Sequence, residues 1–254
     1  MTASGSDFKD HFSSVATDYA THRPTYPTAL VDLLARVAPA RRLTWDAGCG
    51  SGQLSVLLAD RFERVWATDA SSEQLARATA HPRVTYSCAP AHASGLEDGV
   101  VDLSTAAQAA HWFDLPSYYA EVRRVTRPGG IAALISYGVM IVDADVDAVV
   151  RPFYHNVLGA YWPPERRHVD EGYRSLPFPF EELSSPVPDL EIRLEWRFAD
   201  VVGYVGTWSA MWALQRAEGQ GPVERFREAL GRAWGRAERV RTVRWPLALR
   251  VGRV

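Results

Sequence analysis

Leu43-Thr44-Trp45-Asp46-Ala47-Gly48-Cys49-Gly50-Ser51-Gly52-Gln53 decides how this chain is read. An apolar run ends in an acid and then in three glycines at alternate positions. Leu54, Leu57 and Leu58 follow at helical spacing. The order predicts a strand, a tight glycine loop and a helix N-terminus. Glycine accepts positive φ and lets a ligand approach the backbone closely. The helix behind it offers free N–H groups and the positive end of its dipole. Such a loop suits a nucleotide-like ligand.

Spacing narrows the ligand. A dinucleotide site wants G-x-G-x-x-G, whose third glycine lets the helix pack close to the strand. Here the order is G-x-G-x-G, and Asp46 stands two positions before the first glycine. A carboxylate there opposes a pyrophosphate and suits the amino group of a methionine moiety. A second acid, Asp69, ends the run Arg64-Val65-Trp66-Ala67-Thr68. At that place an acid accepts hydrogen bonds from both ribose hydroxyls. Together the two acids favour S-adenosylmethionine (SAM), with S-adenosylhomocysteine as its demethylated product, over a nicotinamide cofactor.

Composition sets outer bounds. A length of 254 residues fits one large domain or a domain with an inserted cap. A formal net charge of −2 argues against a broad nucleic-acid footprint, which needs a strongly basic face. Arginines between Arg225 and Arg250 alternate with Glu224, Glu228 and Glu238, as on a salt-bridged helix. Cys49 and Cys88 are the only cysteines, too few for a disulfide framework. With no apolar leader in Met1 to Asp10 and no apolar run of about 18 residues, a cytoplasmic setting is expected, without a membrane partner. The histidines do not cluster with acids or cysteines at metal-ligand spacing, so no metal is expected.

Strands alternate with helices through the first half. A helix is predicted over Pro27 to Val37, strands ending at Asp46 and Asp69, and helices over Gln53 to Arg61 and after a Ser71 or Ser72 cap. Short strands follow at Arg83 to Tyr86 and Val100 to Thr105. A helix from Leu115 to Thr126 stops at Arg127-Pro128-Gly129-Gly130, and a doubly buried strand spans Ile131 to Ser136. This predicts a mostly parallel sheet with right-handed crossovers. After Tyr137 the pattern breaks. An apolar helix (Val142 to Leu158) leads into Tyr161-Trp162-Pro163-Pro164. Further on come a strand (Leu190 to Phe198), helices (Val201 to Gln215 and Pro222 to Glu238) and a last strand (Thr242 to Val251). Three divisions are expected: an N-terminal lid and cofactor-binding core over 1–137, a cap insertion for the acceptor over 138–189, and strands and helices completing the core sheet over 190–254.

These segments resemble the class I SAM-dependent methyltransferases, and within them the small-molecule subfamily around trans-aconitate methyltransferase. The likeness is carried by Phe12 to Tyr19, Arg23 to Pro27, Trp45 to Gln53, Ala67 to Ser71, Val101 to Leu103, Ala107 to Asp114 and Arg127 to Gly130. Beyond residue 137 only fragments match, such as Gly206 to Ser209. The resemblance implies an α/β, Rossmann-like seven-stranded sheet of order 3-2-1-4-5-7-6, the seventh strand antiparallel. It implies that Gly48, Gly50, Gly52 and Gln53 lie under the cofactor and that Asp46 lies near the methionine end. Asp69 would bind the ribose, with Ala70 and Gln74 flanking the adenine. Ala91 and His92 would meet the adenine edge, although His92 departs from the Glu common among relatives. Gln108 would face the cofactor through its backbone, and Tyr19 and Arg23 would close over it.

Ligands of open parallel sheets bind beyond the carboxyl ends of the strands. His111 and Trp112 lie past one such end and Tyr137 past another, so His111, Tyr137 and the lid residue Tyr19 are the candidate catalytic groups. Methyl transfer is an SN2 displacement, driven largely by holding acceptor and methyl in line. A carboxylate acceptor needs no base. A hydroxyl or acidic carbon does, and there His111 is either the base or only a packing or orienting group. Trp112, Trp162, Arg166, Arg167, Tyr204 and Trp208 are the candidate acceptor ligands. Arginine suits bidentate carboxylate capture, although Arg166-Arg167-His168 also fits a solvated loop. The expected function is O-methylation of a carboxylate or hydroxyl on a small organic molecule of secondary metabolism, by a monomer or homodimer. The alternatives are C- or N-methylation of a natural-product intermediate, or SAM binding without transfer.

Overall fold

In the computed structural model, residues 24–183 and 189–254 are described. The lid residues Tyr19 and Arg23 lie outside them. Five strands pair in parallel: β1 (Leu43–Ala47), β2 (Arg64–Asp69), β3 (Val84–Cys88), β4 (Val101–Ala107) and β5 (Thr126–Tyr137). Three more are antiparallel: β6 (Glu181–Glu182) and β7 (Glu191–Trp196) pair with β8 (Arg241–Arg253), which in turn pairs with β5. The sheet order is β3-β2-β1-β4-β5-β8-β6, with β7 also on β8. This is the expected order with its antiparallel strand beside β5. The outer position is shared: β7 covers the start of β8 (Arg241 to Pro246) and β6 its end (Gly252 and Arg253).

Side-chain alternation along β5 divides the core. Ile131, Ala133 and Ile135 join Leu30 and Leu34 of α1 (Thr28–Val37) and Leu54 and Leu58 of α2 (Gln53–Ala59). Ala132 and Leu134 point the other way, toward Tyr118, Val122 and Val125 of α4 (Leu115–Val125). Burial on both faces is what a parallel sheet between helices requires. Between them, α3 (Ser72–Leu75) is one short turn capped by the Ser71 hydroxyl, which accepts from Gln74 N at 3.3 Å.

Among the predicted segments, three differ most in extent, while the Pro222–Glu238 helix ends early at Trp234. β5 starts at Thr126, five residues before the predicted Ile131. Residues 127–130 form a bulge between the pairs Val101–Thr126 and Leu103–Ile131, with Gly129 at φ 75°. The Pro-Gly-Gly signal stops the helix, and Gly129 N and Val254 N then tie the bulge to the chain end through Val254 O and Gly130 O. The predicted Val142–Leu158 helix is shorter: α5 spans Ala144–Pro152 because the Asp143 side chain caps it by accepting from Val146 N. Past Pro152 the chain widens to a π turn over Phe153–Val157. The Val201–Gln215 helix is two, α7 (Phe198–Gly206) and α8 (Ser209–Glu218). Between them Trp208 is extended, and the Thr207 hydroxyl bonds back to Tyr204 O at 2.7 Å.

α6 (Arg166–Asp170) packs against β5 and the Ala110–Trp112 turn, and α9 (Gly221–Trp234) packs against α5, α7 and α8. Phe153 stacks on Phe226 of α9 with centroids 3.9 Å apart and planes at 16°. Val146, Val150 and Leu158 share one apolar cluster with Val205, Leu214 and Leu230. The segments on either side of residue 190 are thus held by a common core. No helix among the described residues is long and apolar enough to cross a membrane.

Candidate active site

The glycine loop leaves β1 and folds back on β2: Gly48 N and Cys49 N both donate to Thr68 O, at 2.8 and 3.0 Å. Gly48 and Gly52 have φ of 67° and 83°. A Cβ on Gly48 meets Ala109 Cβ at 2.5 Å, and one on Gly52 meets Tyr86 Oη at 2.1 Å. Both are required by backbone conformation and by close packing. Gly50 differs. Among the described residues the nearest atom to a Cβ there is Gln74 Oε1 at 3.9 Å, so these residues leave the middle of the loop open beside α3. Gln53 opens α2 directly behind it.

Asp69 organises this loop. Its Oδ2 accepts from Gly50 N at 2.8 Å and its Oδ1 from Ser71 N at 2.9 Å. Burial raises its pKa, with the two backbone donors opposing. Asp46 is buried deeper, at 1% exposed, and accepts from the Ser55 hydroxyl at 2.6 Å and the Thr105 hydroxyl at 2.9 Å. Burial lifts its pKa to about 6 against those hydrogen bonds, and Asp69 adds to the rise. Asp46 therefore ties β1 to α2 and β4. Burial, with Asp46 and Asp69 nearby, drives the Cys49 thiol pKa far up and keeps it protonated.

Past β3, Ala91 packs against the α4 side of the core and His92 is exposed, as is Ala70 past β2. The following turn is held by Glu121 of α4, whose Oε1 accepts from Ser94 N at 2.8 Å and from its hydroxyl at 2.6 Å. At the ends of β4 and β5, Gln108 adopts φ 54°. Its N–H donates to Ile135 O at 2.9 Å and its Nε2 to Tyr137 O at 2.7 Å. Tyr137 is buried with its ring edge-on to Tyr26. His111 lies in a 3-10 turn (Ala110–Trp112), its ring 4.8 Å from the half-exposed Trp112. Its Nδ1 is 2.8 Å from the hydroxyl of Tyr173, a fully buried residue with φ 60°.

The predicted acceptor residues divide. Trp162, Tyr204 and Trp208 come together around Tyr154: Trp208 lies 5.3 Å from Tyr154, 5.9 Å from Trp162 and 5.7 Å from Tyr204, centroid to centroid. The Tyr204 hydroxyl accepts from Trp245 Nε1 at 3.1 Å. Arg166 enters this cluster over Trp162, 5.0 Å from its ring centroid. Its Nε donates to Tyr154 Oη at 2.6 Å and lies 3.5 Å from Asp170. Burial alone lowers the guanidinium pKa, but Tyr154 and Asp170 outweigh it and the net direction is up. Arg167, the next residue, is exposed and apart. Tyr154 and Asp170 were missed in the sequence, where Tyr154 lies in an apolar run that reads as helix core. The Tyr173–His111 contact was also missed, because it spans 62 positions. Among the described residues no group of three or more His, Cys, Asp or Glu converges as metal ligands do.

The geometry fits SAM: a glycine loop with open space at its middle, a helix N-terminus behind it and a partly exposed acid at the end of β2. The methyltransferase domain family model matches residues 45–134. A protein named as a methyltransferase in Dictyostelium discoideum is 33% identical over 231 residues, covering 89% of this chain and 87% of that protein. A solved structure named as a type II methyltransferase from Anaeromyxobacter dehalogenans is 52% identical, covers 91% of this chain and 97% of its own, and superposes with a TM-score of 0.85. A malonyl-acyl-carrier-protein O-methyltransferase of Pectobacterium atrosepticum is 30% identical over 139 residues, 49% of this chain and 53% of that protein. The chain belongs to the class I SAM-dependent methyltransferases, and SAM is its cofactor.

Proposed function

We propose that this methyltransferase forms a methyl ester on a carboxylate of a small organic acid, as the likeness to trans-aconitate methyltransferase implies. The observation that carries the reading is Arg166. Its side chain is 22% exposed, lies over the rings of Trp162 and Tyr154, donates from Nε to Tyr154 Oη and has Nε 3.5 Å from Asp170. Its two terminal amino groups have no hydrogen-bond partner among the described residues. A guanidinium so placed among aromatic walls offers a parallel pair of N–H donors to a carboxylate. The Pectobacterium relative is by its name an O-methyltransferase, which accords with this reading.

When bound, SAM supplies an electrophilic methyl group on its sulfonium. In this proposal Gly48, Gly50 and Gln53 hold its amino-acid end, with Asp46 buried beneath. Asp69 accepts from the ribose, Ala70, Gln74, Ala91 and His92 border the adenine, and Gln108 lines the floor. Tyr19 and Arg23 close the site. Arg166 orients the acceptor, Trp162, Tyr204, Trp208 and Trp112 form its walls, and Arg167, exposed and apart, takes no part. Tyr137 and His111 flank the reacting oxygen. An ionised carboxylate is already nucleophilic, so in-line placement supplies most of the rate. The division into core (1–137), acceptor cap (138–189) and closing segment (190–254) is kept as part of this proposal.

The test is transfer of labelled methyl from SAM to a panel of di- and tricarboxylic acids, hydroxylated aromatics and amines. Base-labile label on acids is expected. Arg166→Gln should then raise KM for the acid by about 10- to 100-fold, the equivalent of a lost charge-assisted hydrogen bond, with a smaller change in kcat. Label confined to phenols, amines or carbon refutes the proposal.

A further inference from the structure

We infer that Tyr173 is a positioning residue that donates its hydroxyl hydrogen to His111 Nδ1, holding His111 as the Nε2–H tautomer and making it a hydrogen-bond donor to the acceptor. The inference deepens the carboxylate reading and, in its consequence for catalysis, rests on it. Tyr173 is fully buried against Val169, Leu176, Ala132 and Leu134. A buried hydroxyl must place its hydrogen on an acceptor or lose the free energy of that bond. Within reach of Tyr173 Oη the acceptor is His111 Nδ1, at 2.8 Å. If His111 Nδ1 carried the hydrogen, it would donate to the phenol oxygen, and the phenol hydrogen would have no acceptor among the described residues. With Tyr173 as donor, the phenol hydrogen and His111 Nδ1 satisfy each other.

The backbone is built to hold this contact. Gly172 and Tyr173 both have left-handed φ, 61° and 60°. For tyrosine that conformation is costly and persists only where its surroundings enforce it. Here Tyr173 N donates to His168 O at 2.7 Å, and Arg250 Nη1 donates to Tyr173 O at 3.3 Å and to Leu176 O at 2.6 Å. Gly172 is fitted against β8, where a Cβ would meet Ala248 Cβ at 2.8 Å. The turn after α6 therefore presses the phenol under the His111 ring.

The tautomer has a chemical consequence. A neutral imidazole with Nδ1 accepting carries its proton on Nε2 and does not abstract one there. His111 then donates to an acceptor oxygen and steadies it for in-line attack. That role suits an acceptor that arrives ionised and does not suit one that must be deprotonated.

The experiment is a long-range nitrogen–proton correlation spectrum of the full chain with 15N-labelled histidine, His111 being assigned from the His111→Gln variant. The parent should show His111 as a single Nε2–H tautomer. Tyr173→Phe should replace that signature with tautomer averaging and lower the turnover of an acid acceptor about fivefold, the value of one ordinary hydrogen bond. His111→Gln, which keeps an N–H donor, should retain more turnover than His111→Ala. An Nδ1–H tautomer or an averaged signal in the parent, or equal loss in the Gln and Ala variants, overturns the inference. The spectrum needs no acceptor. If no acid is methylated and the Nε2–H tautomer is still seen, the acceptor reading fails alone.

Discussion

Asp46→Asn separates what this carboxyl does to the fold from what it does for a ligand. Asp46 is 1% exposed, and burial lifts its pKa from 3.8 to about 6 although Ser55 and Thr105 both donate to it. A carboxyl that holds its proton more tightly when folded weakens the fold as pH rises. Below the unfolded value both states are protonated; between the two values the unfolded chain ionises first. The displacement corresponds to about 3 kcal/mol at about 1.36 kcal/mol per pH unit, lost as pH rises from about 4 to about 6. A neutral amide carries no such loss. Asn also fits: its NH2 takes the place of Oδ1 opposite Thr105, whose hydroxyl turns to donate to Trp45 O, 3.3 Å away. The assay is urea denaturation of cofactor-free parent and variant across that pH interval and on to about 7.5. The variant should gain about 3 kcal/mol relative to the parent. Taking the difference removes other groups. Glu121, for instance, works in the opposite sense. Burial raises its pKa, hydrogen bonds from Arg124 and Ser94 more than compensate, and the net value falls to about 2. Its stabilisation is present above the ordinary carboxylate range and is lost as pH falls toward that value. A parent–variant difference that stays flat, or that shrinks as pH rises, refutes the reasoning.

Three further outcomes follow from the same contacts. Gly52→Ala puts a side chain at φ 83° with its Cβ 2.1 Å from Tyr86 Oη; it should cost about 2 to 4 kcal/mol in urea denaturation, from backbone strain plus overpacking. Tyr86→Phe in the same background should recover part of that loss, and a Gly52→Ala variant as stable as the parent contradicts the packing argument. Asp69→Ala removes an acceptor for Gly50 N and Ser71 N and the proposed ribose ligand; titration calorimetry should show SAM bound about 10- to 100-fold more weakly, and unchanged affinity rules out the assignment. Phe226→Ala deletes one half of the stack with Phe153; chemical denaturation should register a loss of about 3 to 5 kcal/mol, and a loss below about 1 kcal/mol means the helices over β5 are not held there.

By itself the sequence determined whatever depends on neighbours along the chain. Alternate glycines after Asp46 set a left-handed loop at the end of β1, because only glycine takes that backbone without strain. The acid closing β2 was legible as the expected ribose acceptor, whereas its hold on the loop, through Gly50 N and Ser71 N, is a product of the fold. Sheet order and cofactor followed from these local signals and from the resemblance they carry. Element ends were less legible. Pro-Gly-Gly after α4 stops a helix, but its absorption into a bulge of β5 depends on Val254, just past β8, pairing back with it. The aromatic cluster proposed for the acceptor was decided by the tertiary structure alone. Tyr154, Trp162, Arg166, Tyr204 and Trp208 lie on separate elements and meet only when the helices pack over β5. Arg166 and Arg167 are adjacent and alike in type, yet one enters the aromatic cluster and the other faces solvent, because successive helical side chains point in different directions. His111 Nδ1 meets the buried Tyr173 hydroxyl 62 positions away, a pairing that exists only once the turn after α6 folds against the end of β4. Local spacing specifies backbone shape, whereas burial and long-range packing assign each polar side chain its partner.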